Sequence, residues 1–224
     1  MAAMQIFEKL LQFSLFQGMS RDDLELVAGH TRFSFFKVAQ GKTVVKEGAQ
    51  CAHLYFLISG VVCTRNSSDN HSYTVEEEMQ APLVIQPEAI YGYHQRYTQT
   101  VVAKTDTSFI AIDKDEVGRL SEDFQVFRLN LLNIYATHTQ KLSRQLWRCC
   151  PQTLRERIIR FFVQHCAYPA GAKTFYILMN QLADELNESR LNISHELNTM
   201  QYDGLVTLHR GRVEIPSLER LLMT

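Results

Sequence analysis

The chain has 224 residues, 46% of them hydrophobic, and a formal net charge of −1. That length fits one large or two modest domains with ample core material. The near-neutral balance excludes a globally basic nucleic-acid coat, so a nucleic-acid footprint has to be local.

No run of 18 apolar residues exists in the sequence, so no membrane span is expected. The opening stretch MAAMQIFEKLLQF has an amphipathic helix pattern without a signal peptide's basic n-region or cleavage site, and a cytoplasmic protein is expected. The five cysteines (Cys51, Cys63, Cys149, Cys150 and Cys166) are odd in number and scattered. They read as free thiols rather than a disulfide framework, and none forms a C-x-x-C pair that would suit a metal.

From Lys42 to about Val117 short β-rich runs recur between Gly, Asn, Asp and Pro. They are Thr43–Val45, His53–Ile58, Val61–Thr64, Ser72–Val75, Thr100–Ala103 and Phe109–Ile112. Many short strands with regular turn signals imply a sandwich or barrel. Gly41, Gly48 and Gly60 mark turns. Asn66–His71 reads as a hairpin tip, and Glu76-Glu77-Glu78 as a solvated strand end or loop. The acids Glu76, Glu77 and Glu78 lie in this half, whereas arginines concentrate in the last third.

A long helix is expected next, with Ser121 as its cap and Glu122 and Asp123 favourable to its dipole. It runs without Gly or Pro to Cys150, about 28 residues and roughly 42 Å. Phe124, Phe127, Leu131, Ile134 and His138 form a seam that Leu142 and Leu146 continue after a stutter. The seam either pairs with its own copy in a parallel dimer or covers the β-rich part, and both can hold at different ends. Pro151 ends this helix, Gln152–Ala167 reads as another, and Pro169-Ala170-Gly171 breaks it.

The segment from Asn180 to Pro216 then reads as a short helix, a tight turn, a second helix and a hairpin with a basic tip. Asn180 is the expected cap of the first helix and Ser189 that of the second. Asn187 suits a left-handed turn residue. Ile193, Leu197 and Met200 form one apolar stripe. Leu191, His195, Asn198 and Thr199 lie opposite, and Arg190 projects near the N-terminal end. In a helix-turn-helix these outward residues reach base edges in the major groove. Arg190 suits guanine O6 and N7, or a phosphate; Asn192 a phosphate or a base; His195 likewise. Leu191 suits either a thymine methyl or a neighbouring element. Leu205–Leu208 and Val213–Ile215 read as strands joined by His209-Arg210-Gly211-Arg212, a wing whose Arg210 and Arg212 suit phosphates.

In this order the elements resemble the CRP/FNR superfamily of bacterial transcription regulators, from Leu15-Phe16 to Ile215. The resemblance is carried by Gly41–Gly48, Leu54–Val62, Thr100–Thr105 and Ser189-Arg190. It implies an α+β chain with a cyclic-nucleotide-binding-like β-roll, or jelly roll, over 1–120. A long dimerisation helix over 121–150 and a winged helix-turn-helix over 151–224 would follow. It also implies a homodimer on a two-fold symmetric double-stranded DNA site, with RNA polymerase as a partner.

The effector segment departs from the family's pattern. The cyclic-nucleotide members carry Gly-Glu, then Arg-Ser or Arg-Thr about ten residues on. Here Glu88 remains, but Pro87 replaces the glycine and offers no N–H to a phosphate. Tyr97 stands where the arginine would be, with Arg96 one place off and so on the other strand face. The family's Thr-Ser pair on the long helix becomes Leu142-Ser143. Cyclic AMP is therefore not expected as the effector. Glu88, Tyr91, His94, Arg96, Tyr97 and Ser143, with Tyr93, make a tentative pocket for another anion, a planar ligand or a haem. The recognition helix departs too, with Arg190-Leu191-x-x-x-His195 in place of Arg-Glu-x-x-x-Arg. Losing the glutamate removes an acceptor for cytosine N4 and suggests a more A·T-tolerant site. No nucleophile elbow, P-loop, zinc spacing or carboxylate pair points to an enzyme. The alternative function is a ligand or haem sensor acting mainly through a protein partner.

Overall fold

A computed structural model describes residues 2–146 and 150–223. Helices α1 (Ala2–Leu10) and α2 (Arg21–His30) lead into strands β1 (Ser34–Val38), β2 (Thr43–Val45), β3 (His53–Ser59), β4 (Val61–Ser67), β5 (Thr74–Gln80), β6 (Leu83–Ile85), β7 (Thr100–Ala103) and β8 (Thr107–Asp113). Then come α3 (Lys114–Asp123), α4 (Gln125–Leu146), α5 (Leu154–Gln164), β9 (Lys173–Tyr176), α6 (Met179–Glu185), α7 (Arg190–Tyr202), β10 (Thr207–His209), β11 (Arg212–Ile215) and α8 (Leu218–Leu221). The chain divides into two compact units, residues 1–62 with 79–146, and residues 63–78 with 147–224. Among the described residues no helix is long and apolar enough to cross a membrane.

The first unit is a β-roll. Its antiparallel sheet has the order β1-β8-β3-β6, and β2 pairs with β7. Alternation along β3 sends Leu54 and Phe56 inward, where both are fully buried. The Phe56 ring meets Phe13 edge-on at 5.0 Å, and Phe16 meets Phe127 of α4 at 5.3 Å. Each such buried aromatic or aliphatic side chain contributes about 1.5–3 kcal/mol. Gly60 sits between β3 and β4 at φ 96°, where a Cβ would lie 2.6 Å from the Asp106 carbonyl oxygen. No other residue fits that turn.

The long helix is shorter than its sequence suggests. The run from 114 to 146 is two helices, broken where Phe124 turns extended at φ −122°, ψ 103°. Ser121 is no cap; it lies inside α3 and its hydroxyl donates to the Val117 carbonyl at 2.8 Å. Asp115 and Glu116 fill the first turn of α3, so the favourable acidic start lies there instead. Of the expected seam, Phe127 and Leu131 are buried in the β-roll's own core and Phe124 and Ile134 pack against it. The exposed leucines of α4 are Leu129, Leu132 and Leu142. The seam residue Leu146 lies where no side chain is described, and Cys149 lies outside the described residues.

In the second unit α5 to α8 pack with strands in the order β10-β11-β9-β5-β4. Helix α5 opens on a capping box, with Thr153 accepting from Glu156 N while the Glu156 carboxylate accepts from Thr153 N. Its buried Phe161 and Phe162 pack with Phe175 of β9. Three strands, β1, β6 and β9, have no counterpart in the sequence reading. The acidic run was also misplaced: Glu76-Glu77-Glu78 is strand, not a solvated end, and Glu77 is fully buried. Its partner is Lys173, 96 residues away and invisible to local periodicity. The hairpin tip therefore lies at 68–73, two residues beyond the expected one.

Candidate nucleic-acid interface and effector loop

Helix α7 is built from its cap upward. Ser189 is extended at φ −71°, ψ 142°, and its Oγ accepts from Asn192 N at 3.1 Å. The preceding Asn187 takes the left-handed turn at φ 47°. Ile193, Leu197 and Met200 are fully buried. That burial leaves Arg190, Leu191, Asn192, His195, Asn198 and Thr199 exposed on the other side. Leu191 is 80% exposed, so it is not buried against a neighbouring element among the described residues. Glu188 locks the turn. Its carboxylate accepts from Ser189 N, from Asn192 Nδ2 at 2.9 Å and from Arg157 at 3.2 Å. The two bonds from Ser189 and Asn192 and then Arg157 hold its pKa below the ordinary carboxylate value. Asn192 is thus partly engaged before any ligand arrives.

Asn180 is not a cap. Helix α6 begins at Met179, after an extended Leu178 whose N–H donates to Gln181 Oε1 at 2.8 Å. Asn180 is exposed in the first turn. The wing is also tighter than expected, since Leu205 and Val206 are buried ahead of β10 and His209 lies within it. The tip is Arg210-Gly211, with Gly211 at φ 72°. Arg210 is exposed, whereas Arg212 pairs with Glu214 at 3.0 Å, which His209 also meets at 3.3 Å. Exposed donors include Arg190, Asn192, His195 and Asn198 of the helix and Arg210 of the wing. They suit base edges and phosphates in a groove.

The effector loop shows the opposite arrangement. Its expected pocket residues differ in exposure. Tyr97 is buried in the β-roll and donates to the His53 carbonyl at 2.9 Å. Burial first, and then its hydrogen bond with Cys51, push the Tyr97 phenol far above its ordinary range. Arg96 is exposed and donates to the Gly48 carbonyl at 2.7 Å. The one-residue slip does place it on the other face. Tyr93 is 95% exposed and meets His94 edge-on at 4.6 Å. Tyr91 is half-buried below Lys114, 5.4 Å from the ring centre, and Ser143 is exposed near the end of α4. Glu88 is half-buried in a short 3₁₀ turn, Pro87–Ala89, whose Pro87 carbonyl accepts from Tyr135 at 3.0 Å.

The residue missed by sequence is Gln86. Its backbone is left-handed at φ 39°, ψ 57°, unusual for a residue before proline. Its carboxamide oxygen accepts from Thr98 N at 2.8 Å, Thr98 Oγ1 at 3.0 Å and Gln99 N at 3.2 Å. The amide nitrogen donates to the Gln99 carbonyl at 3.0 Å. Three convergent donors of this kind suit an anion, and here the chain's own amide fills them. The polar residue beside Pro87 was the available signal; its partner twelve residues on was not. Among the described residues no cluster of three His, Cys, Asp or Glu is placed to hold a metal ion.

Residues 35–124 match the family profile described as the cyclic nucleotide-binding domain. Solved structures share the fold over most of the chain. The catabolite activator protein of Thermus thermophilus has a TM-score of 0.52 at 20% identity, covering 94% of this chain and 97% of that one. A crp/fnr-family putative transcriptional regulator from Eubacterium rectale has a TM-score of 0.54 at 19% identity, covering 95% and 97%. The sensor domain of the transcriptional regulator DNR from Pseudomonas aeruginosa has a TM-score of 0.53 at 17% identity, covering 68% and 98%. No curated protein sequence matches the chain.

Proposed function

We propose that this chain, with its cyclic nucleotide-binding domain and CRP/FNR-type fold, is a homodimeric regulator of transcription. It reads a two-fold symmetric double-stranded DNA site through α7 and the β10–β11 wing. The β-roll acts as sensor, α4 as the dimer helix, and the chain from 151 onward as the reader, working in the cytoplasm with RNA polymerase. The observation that carries this reading is the Ser189-capped helix. It buries one apolar stripe and turns Arg190, Leu191, His195 and Asn198 to solvent. The exposed Leu129, Leu132 and Leu142 of α4 offer a second copy an apolar face.

Switching is independent of cyclic AMP. Gln86 already occupies the loop's convergent donors, Pro87 has no N–H to add, and Tyr97 points into the core. Selection from a random duplex library, followed by a salt-dependent gel shift, tests the DNA reading. A symmetric site whose affinity falls as salt rises is expected; no enrichment overturns the reading. Calorimetry with cyclic AMP is expected to show no saturable heat.

A further inference from the structure

We propose that the hairpin Cys63–Glu78 is a built-in part of the DNA reader, positioned by Glu77 and Lys173, and that it stays paired to β9 while DNA is bound. The proposal rests on the reading of the second unit as the DNA reader. The hairpin falls inside the stretch matched to the cyclic nucleotide-binding domain, yet it folds with the C-terminal unit.

The attachment is a strand pairing. Residues Thr74 to Glu77 of β5 face Tyr176 to Lys173 of β9, and β9 pairs on its other edge with β11 of the wing. At the end of that register Glu77 meets Lys173 at 2.7 Å, with side chains 0% and 1% exposed. The same carboxylate accepts from Ala167 N at 2.7 Å and Tyr168 N at 3.2 Å, in the turn after α5. Glu77 therefore terminates a helix exit and neutralises a buried ammonium at once. At the tip, Tyr73 donates to or accepts from His165 Nε2 at 2.8 Å and packs on Phe161 at 5.5 Å. Val75 is 2% exposed in the cluster that contains Phe175 and Leu197.

Peeling the hairpin away would uncover this cluster and leave Lys173 and two turn amides without their acceptor. A buried pair broken at one partner is strongly unfavourable. The hairpin is therefore built to travel with the reader. Cys166, beside this joint, has its thiol pushed up to about 12, first by burial and then by Glu77. It stays protonated and unreactive.

The test is a tether. Thr74→Cys with Tyr176→Cys places two cysteines at facing register positions, and mass spectrometry locates the bond formed on oxidation. Oxidised and reduced forms of this variant are expected to bind the selected DNA site within about twofold, because a link that both states already satisfy shifts nothing. A tenfold or greater loss on oxidation would mean that the hairpin leaves β9 for DNA binding, and overturns the proposal. Glu77→Ala is expected to weaken DNA binding by about tenfold or more, with Glu77→Gln recovering part of it. Hydrogen exchange separates the two layers of argument. In the unaltered chain the amides of 74–77 and 173–176 are expected to open together; fast exchange of 74–77 alone overturns the hairpin proposal whether or not DNA is bound. A wild-type chain that enriches no DNA while these amides open together overturns the DNA reading and leaves only the pairing of the hairpin with β9.

Discussion

Helix α7 and the loop from Gln86 to Gln99 are both polar, and they dispose of their polar groups in opposite ways. The helix buries Ile193, Leu197 and Met200 and turns Arg190 and His195 to water. The loop turns its donors onto its own amide oxygen and its tyrosine onto a backbone carbonyl. Polar groups held out in solvent by an apolar inner face remain accessible to a partner. Groups that satisfy one another stabilise the fold and leave little for a visitor.

The contrast breaks most sharply at Arg190. Arg190→Ala is expected to weaken binding to the selected DNA by about 1–3 kcal/mol if it reads guanine. If it holds a phosphate, affinity falls across all sequences and the salt slope drops by about 1. A gel shift over a salt series distinguishes these, and an unchanged affinity removes α7 from the interface. Gln86→Ala should do the reverse. It is expected to lower stability by about 1–2 kcal/mol, read by chemical denaturation, since three donors lose their acceptor, and to leave DNA affinity unaltered. Ser189→Ala tests the hinge between the two behaviours. Loss of the cap should reduce stability of the reader by about 1 kcal/mol, with a smaller change in DNA affinity than Arg190→Ala gives.

The smallest effect is a pH dependence at the start of α5. Backbone bonds from Gln152 and Thr153 hold the Glu156 carboxyl below its ordinary value of 4.5. A lowered folded value means the capping contribution is complete above 4.5 and is lost as pH falls through the folded value. NMR titration of the Glu156 carboxyl should show that midpoint, and Glu156→Gln should leave the amides of 152 and 153 insensitive over the same window.

Much of this was legible in the residues. Thr43–Val45 and Thr100–Ala103 end where their alternation ends, because short strands between turn residues have few alternative registers. The inner stripe of α7 followed from spacing alone. What failed was non-local. Glu77 sits in a run of three acids, and only a lysine from another part of the chain makes its burial tolerable. The start of α6 shifted because Gln181, not Asn180, supplies the capping oxygen. The break at Phe124 lies in a stretch without Gly or Pro, so no local signal marks it, and the ring packs against the β-roll core. In the effector loop adjacent residues point to opposite faces, and that sends Tyr97 in and Arg96 out.

The carboxamide of Gln86 has a further consequence as a competitor. It is joined to the loop it fills by its own backbone, so its concentration at those donors does not fall when the cell is dilute. Short tethers give effective concentrations on the order of millimolar. A free anion at roughly micromolar levels would have to displace a rival about a thousandfold more abundant at the same spot. An anion that reaches these donors therefore competes with an acceptor that is always present.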